Sequence, residues 1–244
     1  MARDDVETSD DPLDWLTAAY QEPEEWGTKN PFDAMKIAAQ EFGLKLLGEG
    51  SSRIVFKLNQ KQVVKVALNK KGLAQNELEM FAGRDPYTEQ LLAGVWDAAD
   101  DFSWIVSDLV KPLDEDEFTT AEKVIGVSWN DVREIIGLKR DPDIDMSSTN
   151  PGNHGIDIGD GWTADAPPMT SGKTGVISAG NPNCLRGQEF LDYLEGFMMR
   201  YQGMLKGDLA RLDSWGITPG GCLVLLDYGI TKKNFDILYK TEKF

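Results

Sequence analysis

The chain has 244 residues, 41 acidic and 25 basic, for a net charge of −16, and a length that suits one large domain or two small lobes sharing a cleft. An apolar share of 41% with seven Trp excludes a chain disordered throughout, and the acidic excess argues against direct nucleic-acid binding, because phosphate contacts need Lys and Arg. No run approaches 18 apolar residues and the first 15 lack an apolar leader core, so neither a transmembrane helix nor a signal peptide is expected.

Residues 1–30 carry nine acids and two bases, and residues 1–10 read as a tail. Leu13, Leu16 and Tyr20 recur at helical spacing behind Asp10 or Asp11 as cap. A second helix starts at Asn30-Pro31-Phe32-Asp33, with Asn as cap, Pro at the first helical position and Asp33 where a capping-box acid stands. Phe32, Met35, Ala39 and Phe42 form its apolar stripe. Ile54, Phe56 and Leu58 then alternate with Arg53, Val55 and Lys57. After the turn Asn59-Gln60-Lys61 comes a second β-rich run, Val63–Leu68, and together they predict a hairpin. A helix over 72–81 follows, then strands near Leu91–Trp96 and Phe102–Leu109. Residues 113–140 mix helix and loop, with a solvated charge run at 114–117. The Gly/Pro-rich stretch 141–182 reads as a long loop or insertion. A helix over 187–205 and a strand over 222–226 complete the pattern. Cys184 and Cys222 are too few for a disulfide framework or a zinc site, and a reducing cytosol is the expected setting.

Four segments can carry chemistry. Gly48-Glu49-Gly50-Ser51-Ser52 lies at a strand-to-strand turn, where glycines let backbone N–H groups approach phosphate oxygens. Alone it also fits a plain hairpin turn, and it is no dinucleotide fingerprint, since it leads into a strand. Lys65 stands among apolar β residues; if it points inward it needs an anion, and otherwise it is an edge lysine facing water. In the following helix, 100° per residue gathers Leu73, Ala74, Leu78, Met80 and Phe81 on one side. Glu77 falls within that face and Glu79 nearly opposite, so an inward glutamate would pair with Lys65. Last, Asp227 ends an apolar strand, with Asp208 and Asp213 on a preceding loop. Such a set suits Mg²⁺, which prefers carboxylate oxygens together with substrate phosphates and water. By contrast, Ser171-Gly172-Lys173-Thr174 lacks the earlier glycine of a phosphate-binding Walker loop, His154 reads as a solvated loop residue, and neither cysteine has a visible histidine partner for nucleophilic work.

Taken in order, these segments resemble the protein-kinase-like superfamily, in a compact divergent form found among bacteriophage proteins. Gly48–Phe56 looks like the glycine-rich loop and second strand, and Val63–Ala67 like the strand carrying the nucleotide lysine, Lys65. The next helix looks like the αC helix with its partner glutamate. Phe102–Leu113 resembles the fifth strand and hinge, where Asp108 and Leu109 would meet adenine. Asp208 looks like the catalytic aspartate, Asp213 replaces the metal-binding asparagine, and Asp227-Tyr228-Gly229 looks like Asp-Phe-Gly. The likeness covers most of 45–113 and 185–230. It implies an α+β, two-lobed fold: an acidic tail and helices over 1–44, an N-lobe with an antiparallel sheet and one αC-type helix over 45–113, and a reduced, mainly helical C-lobe over 114–244.

The resemblance further implies phosphoryl transfer from ATP with Mg²⁺ to a protein or small-molecule hydroxyl. Gly48, Gly50, Ser51, Ser52 and Lys65 would hold phosphates, and Glu77 or Glu79 would orient Lys65. Asp213 and Asp227 would bind the metal, and Asp208 would take the acceptor's proton. The expected location is cytoplasmic, in the host if the chain is of phage origin. Arg53 stands at the third loop glycine, so the loop would close less tightly over phosphates. Two further departures favour an alternative, a pseudokinase that binds without transferring: Lys206-Gly207 replace His-Arg before Asp208, and 15 residues follow Gly229. A further alternative is an acidic, non-enzymatic interaction protein that imitates nucleic-acid charge.

Overall fold

In the computed structural model, residues 9–141, 144, 184–201 and 206–228 are described. Most of the Gly/Pro-rich stretch 141–182, including His154 and Ser171–Thr174, lies outside them, as does Gly229. The architecture is mixed α+β, and the chain divides into two compact units. The described part of the first is 9–81 with 94–109; that of the second is 82–93 with 110–141, 144, 184–201 and 206–228.

The first unit begins with two helices whose starts are fixed chemically. Asp11 accepts from Leu13 N at 2.9 Å ahead of α1 (Pro12–Gln21), and Asn30 accepts from Phe32 N at 3.1 Å ahead of α2 (Pro31–Glu41). Each cap satisfies an amide the helix leaves unpaired, worth about 1 kcal/mol. Asn30 also donates to Asp33 at 3.0 Å, so the expected acid is used. Next come β1 (Lys45–Glu49), β2 (Arg53–Lys57) and β3 (Gln62–Ala67), then α3 (Lys70–Ala82), β4 (Val95–Ala98) and β5 (Trp104–Asp108). The strands form one antiparallel sheet in the order β1-β2-β3-β5-β4.

Alternation along the strands sorts the two faces of this sheet. Ile54, Phe56, Val64, Val66, Trp104 and Val106 are buried under Leu16, Met35, Ala38 and Ala39 of the N-terminal helices. Phe42 and Phe32, the remaining members of the expected stripe, pack edge-on to Trp15 at 5.3 Å and Tyr20 at 5.7 Å. Arg53 and Lys65 therefore point to the opposite face, where α3 lies.

The second unit contains α4 (Phe118–Ile125), α5 (Trp129–Ile135), α6 (Gly187–Arg200) and the short α7 (Lys206–Ala210), with a small antiparallel sheet of β6 (Lys111–Pro112), β7 (Trp215–Ile217) and β8 (Leu223–Leu225). Trp129 and Trp215 meet edge-on at 5.6 Å, and Phe190 and Phe197 of α6 are fully buried. Leu91–Leu92, expected in a strand, instead forms only an isolated parallel bridge, Leu92 to Leu225. The segment before it is tied to the end of α6: Tyr201 donates to Asp85 at 3.0 Å, Arg200 pairs with the same carboxylate, and its guanidinium lies 4.8 Å from the Tyr87 ring centre.

Cys184 and Cys222 are joined by a disulfide, with Cα atoms 5.0 Å apart, a single cross-link rather than a framework. The bond joins the approach to α6 with the start of β8, across a sequence separation of 38. Among the described residues no helix is long and apolar enough to cross a membrane.

Candidate functional site

The strongest polar cluster lies on the α3 face of the first unit. Lys65 is central in β3, opposite Val55 of β2 and Ile105 of β5. Its Nζ lies 2.6 Å from Oε2 of Glu79, which is fully buried. The expected inward lysine is therefore present, and its glutamate is Glu79. Glu77 is exposed and takes no part in this pair. The other carboxylate oxygen of Glu79 is 2.8 Å from Nη1 of Arg53. A buried carboxylate of this kind is tolerated because each oxygen meets a cation.

α3 is oriented contrary to its apolar pattern. The face turned inward is Gly72, Gln75, Asn76, Glu79 and Ala82, at i, i+3, i+4, i+7 and i+10, whereas Phe81 is 62% exposed. Each inward polar group finds a partner. Gln75 accepts from the Ser52 hydroxyl at 2.5 Å, and Asn76 donates to Phe102 O at 2.8 Å and accepts from Arg53 at 3.4 Å. Polar pairing has overridden the hydrophobic stripe, because a buried polar face costs little once its donors and acceptors are matched.

The glycine-rich turn is bound to the same helix. Gly48 belongs to β1, and Gly50 N donates to Arg53 O at 2.8 Å across the turn into β2. Asn69 joins turn and helix: its Nδ2 donates to Ser51 O at 2.9 Å, while its Oδ1 accepts from Lys71 N at 3.0 Å and Gly72 N at 3.2 Å. Gly72 is required by this approach. A Cβ there would run into the Ser52 carbonyl oxygen and come within 2.9 Å of Ala67 Cα. Ser52 is thus structural through its hydroxyl and its carbonyl, which accepts from Leu68 N at 2.8 Å; what the turn offers a ligand is its remaining backbone.

At the end of β5, where adenine contacts are expected, the backbone amides are already paired. Asp108 N donates to Gly94 O at 3.0 Å and Leu109 N to Lys61 O at 2.8 Å. Both amides are committed within the sheet and its flanks. The Asp108 carboxylate accepts from Gly94 N at 2.9 Å and the Trp96 indole at 2.7 Å, which fixes the β4–β5 edge.

In the second unit, the acids fall on neighbouring segments. Asp208 lies in α7, and Asp213 in the 3₁₀ turn just before β7. Ser214 O accepts from Leu226 N at 2.7 Å and from Asp227 N at 3.4 Å. The antiparallel pairing of β7 and β8 therefore brings the backbone of Asp227 beside that of Asp213–Ser214. Asp227 is exposed. Asp213 is held by Arg211, whose Nε donates to Oδ1 at 3.0 Å and whose Nη2 pairs with Oδ2. Among the described residues no group of three or more His, Cys, Asp or Glu is arranged to hold a metal ion.

Sequence reasoning missed Arg53 as a member of the cluster. It read only as a substitution for a loop glycine. The available signal was register: Arg53 opposite Ala67 and Val55 opposite Lys65 put the two cations on one face of the hairpin. No protein-family model, curated protein or solved structure matches the chain.

Proposed function

We propose that the protein is a kinase-like phosphotransferase that binds ATP with Mg²⁺ and transfers the γ-phosphate to a protein or small-molecule hydroxyl. The Lys65–Glu79 pair carries this reading. A lysine held at 2.6 Å by a fully buried carboxylate, on a strand that follows a glycine turn, is a fixed positive charge suited to phosphate oxygens. Backbone groups of Gly48–Ser52 would share that task. Asp213 and Asp227 are the acids suited to Mg²⁺, and Asp208 would orient the acceptor and take its proton. Such catalysis rests on positioning and charge stabilisation, with little covalent chemistry for the protein to supply.

Mg·ATP is expected to raise the melting temperature of the wild-type protein, and Lys65→Ala and Asp227→Ala to abolish the rise. A wild type that melts identically with and without Mg·ATP refutes the proposal. The Arg211 clasp on Asp213 favours a second reading, nucleotide binding without transfer, because a carboxylate already neutralised by a guanidinium is a poorer metal ligand. Labelled ATP with a host lysate separates the two: phosphate transfer lost in Asp208→Ala eliminates the second.

A further inference from the structure

Glu79 has one cation on each oxygen, and the two cations come from different places. Lys65 belongs to the middle of β3. Arg53 is the first residue of β2, directly after the glycine turn, and is 8% exposed. A carboxylate held by a lysine alone can still turn about its last torsion, since an ammonium is a point charge with no fixed plane. With the Arg53 Nη1 also 2.8 Å from Oε1, and Asn76 accepting from the same nitrogen at 3.4 Å, the carboxylate has a cation on each side and less freedom to turn. Residues 52 and 53 both reach α3, one through Gln75 and the other through Glu79. The turn and the Lys65 ammonium are therefore joined by a continuous chain of contacts.

We propose that Arg53 is a positioning residue for Lys65, acting through Glu79, and that it couples the glycine turn to the Lys65–Glu79 pair. This deepens the phosphoryl-transfer reading, and only its ligand arm rests on that reading. Arg53 fixes the Oε1 side of the carboxylate, Oε2 is thereby presented to Lys65, and the ammonium stays in one place.

The test uses the full chain without nucleotide and measures how fast each lysine amine is acetylated by a small water-soluble reagent, read by peptide mass spectrometry. In Arg53→Met, Lys65 is expected to react at least fivefold faster than in wild type, while Lys36, Lys57 and Lys61 keep their wild-type rates. Arg53→Lys, which restores the charge without the fork, is expected to fall between the two. An unchanged Lys65 rate in folded Arg53→Met overturns the proposal. So does an equal acceleration at all four lysines, which signals general loosening and no positioning role. If Arg53→Met does not fold, Arg53→Lys decides alone: a Lys65 rate equal to wild type overturns the proposal, and a selective rise supports it. In the ligand arm, Mg·ATP should slow acetylation of Lys65 in the wild type. Failure there counts against nucleotide binding, and the nucleotide-free rates still judge Arg53.

Discussion

Replacing Glu79 by leucine tests the energetics of the buried cluster most directly. The carboxylate is fully buried, and the side chains of Arg53 and Lys65 are 9% and 10% exposed. Leucine has similar bulk, so the cavity contribution is small. What is lost is the anion on which both cations converge. Removing one member of a buried ion cluster costs about 3–5 kcal/mol, chiefly because buried charge is left uncompensated. With a urea dependence of about 1–3 kcal/mol per molar, the unfolding midpoint should fall by on the order of 2 M. Far-UV circular dichroism during urea titration measures it. The losses should be non-additive. The triple variant Arg53→Met, Lys65→Met, Glu79→Leu removes all three charges together and should lie within about 1 kcal/mol of wild type. A Glu79→Leu protein within about 1 kcal/mol of wild type, or a triple variant whose loss equals the sum of the three single losses, refutes the account.

The disulfide spans a separation of 38 residues, and loop-closure entropy puts its contribution at about 4 kcal/mol. Cys222→Ser, or reduction, should lower the urea midpoint reported by Trp129 and Trp215 fluorescence; two titratable thiols in the unreduced protein would contradict the bond itself. Gly72→Ala should cost about 1–3 kcal/mol through overpacking against backbone and speed amide exchange in α3; unchanged exchange rates would show that the approach is not tight. The Asp85 carboxyl is held below its ordinary range, first by the Tyr87 backbone amide and then by Tyr201 and Arg200, while burial and the neighbouring Asp85 raise the Tyr201 phenol. A depressed carboxyl contributes stability above its unfolded range and loses it as pH falls through the folded value. Contact between residues 85–88 and α6 should therefore loosen only below the ordinary carboxylate range, and Asp85→Asn should abolish that acid step in a Tyr201 ring-proton titration.

The parts of the fold legible in the sequence were those governed by local chemistry. Asp11-Pro12 and Asn30-Pro31 announce helix starts because a short polar acceptor and a preset φ act within four residues. The β2–β3 hairpin was legible because Ile54, Phe56, Val64 and Val66 alternate toward one core. The orientation of α3 was not. Periodicity counts apolar side chains, and here the inward residues are Gln75, Asn76 and Glu79, whose burial depends on partners distant in sequence. That Lys65 wanted an inward glutamate could be argued from its apolar strand; the choice of Glu79 over Glu77 needed the helix's contacts. Arg53 entered the site through strand register, and Cys184 met Cys222 across a separation of 38 residues. Neither relation leaves a short-range mark.

β1 stands at one margin of the five-stranded sheet and is exposed along its whole length, Leu46 and Leu47 included. A straight ribbon with two bare leucines would invite a foreign strand to add itself there. The slip in pairing between Leu46 and Gly48 interrupts the hydrogen-bonding comb at mid-strand, and Lys45 and Glu49 put charge at both ends. The border is thus notched against intermolecular zippering, and straightening it by deleting Leu47 would trade a protective irregularity for an aggregation hazard.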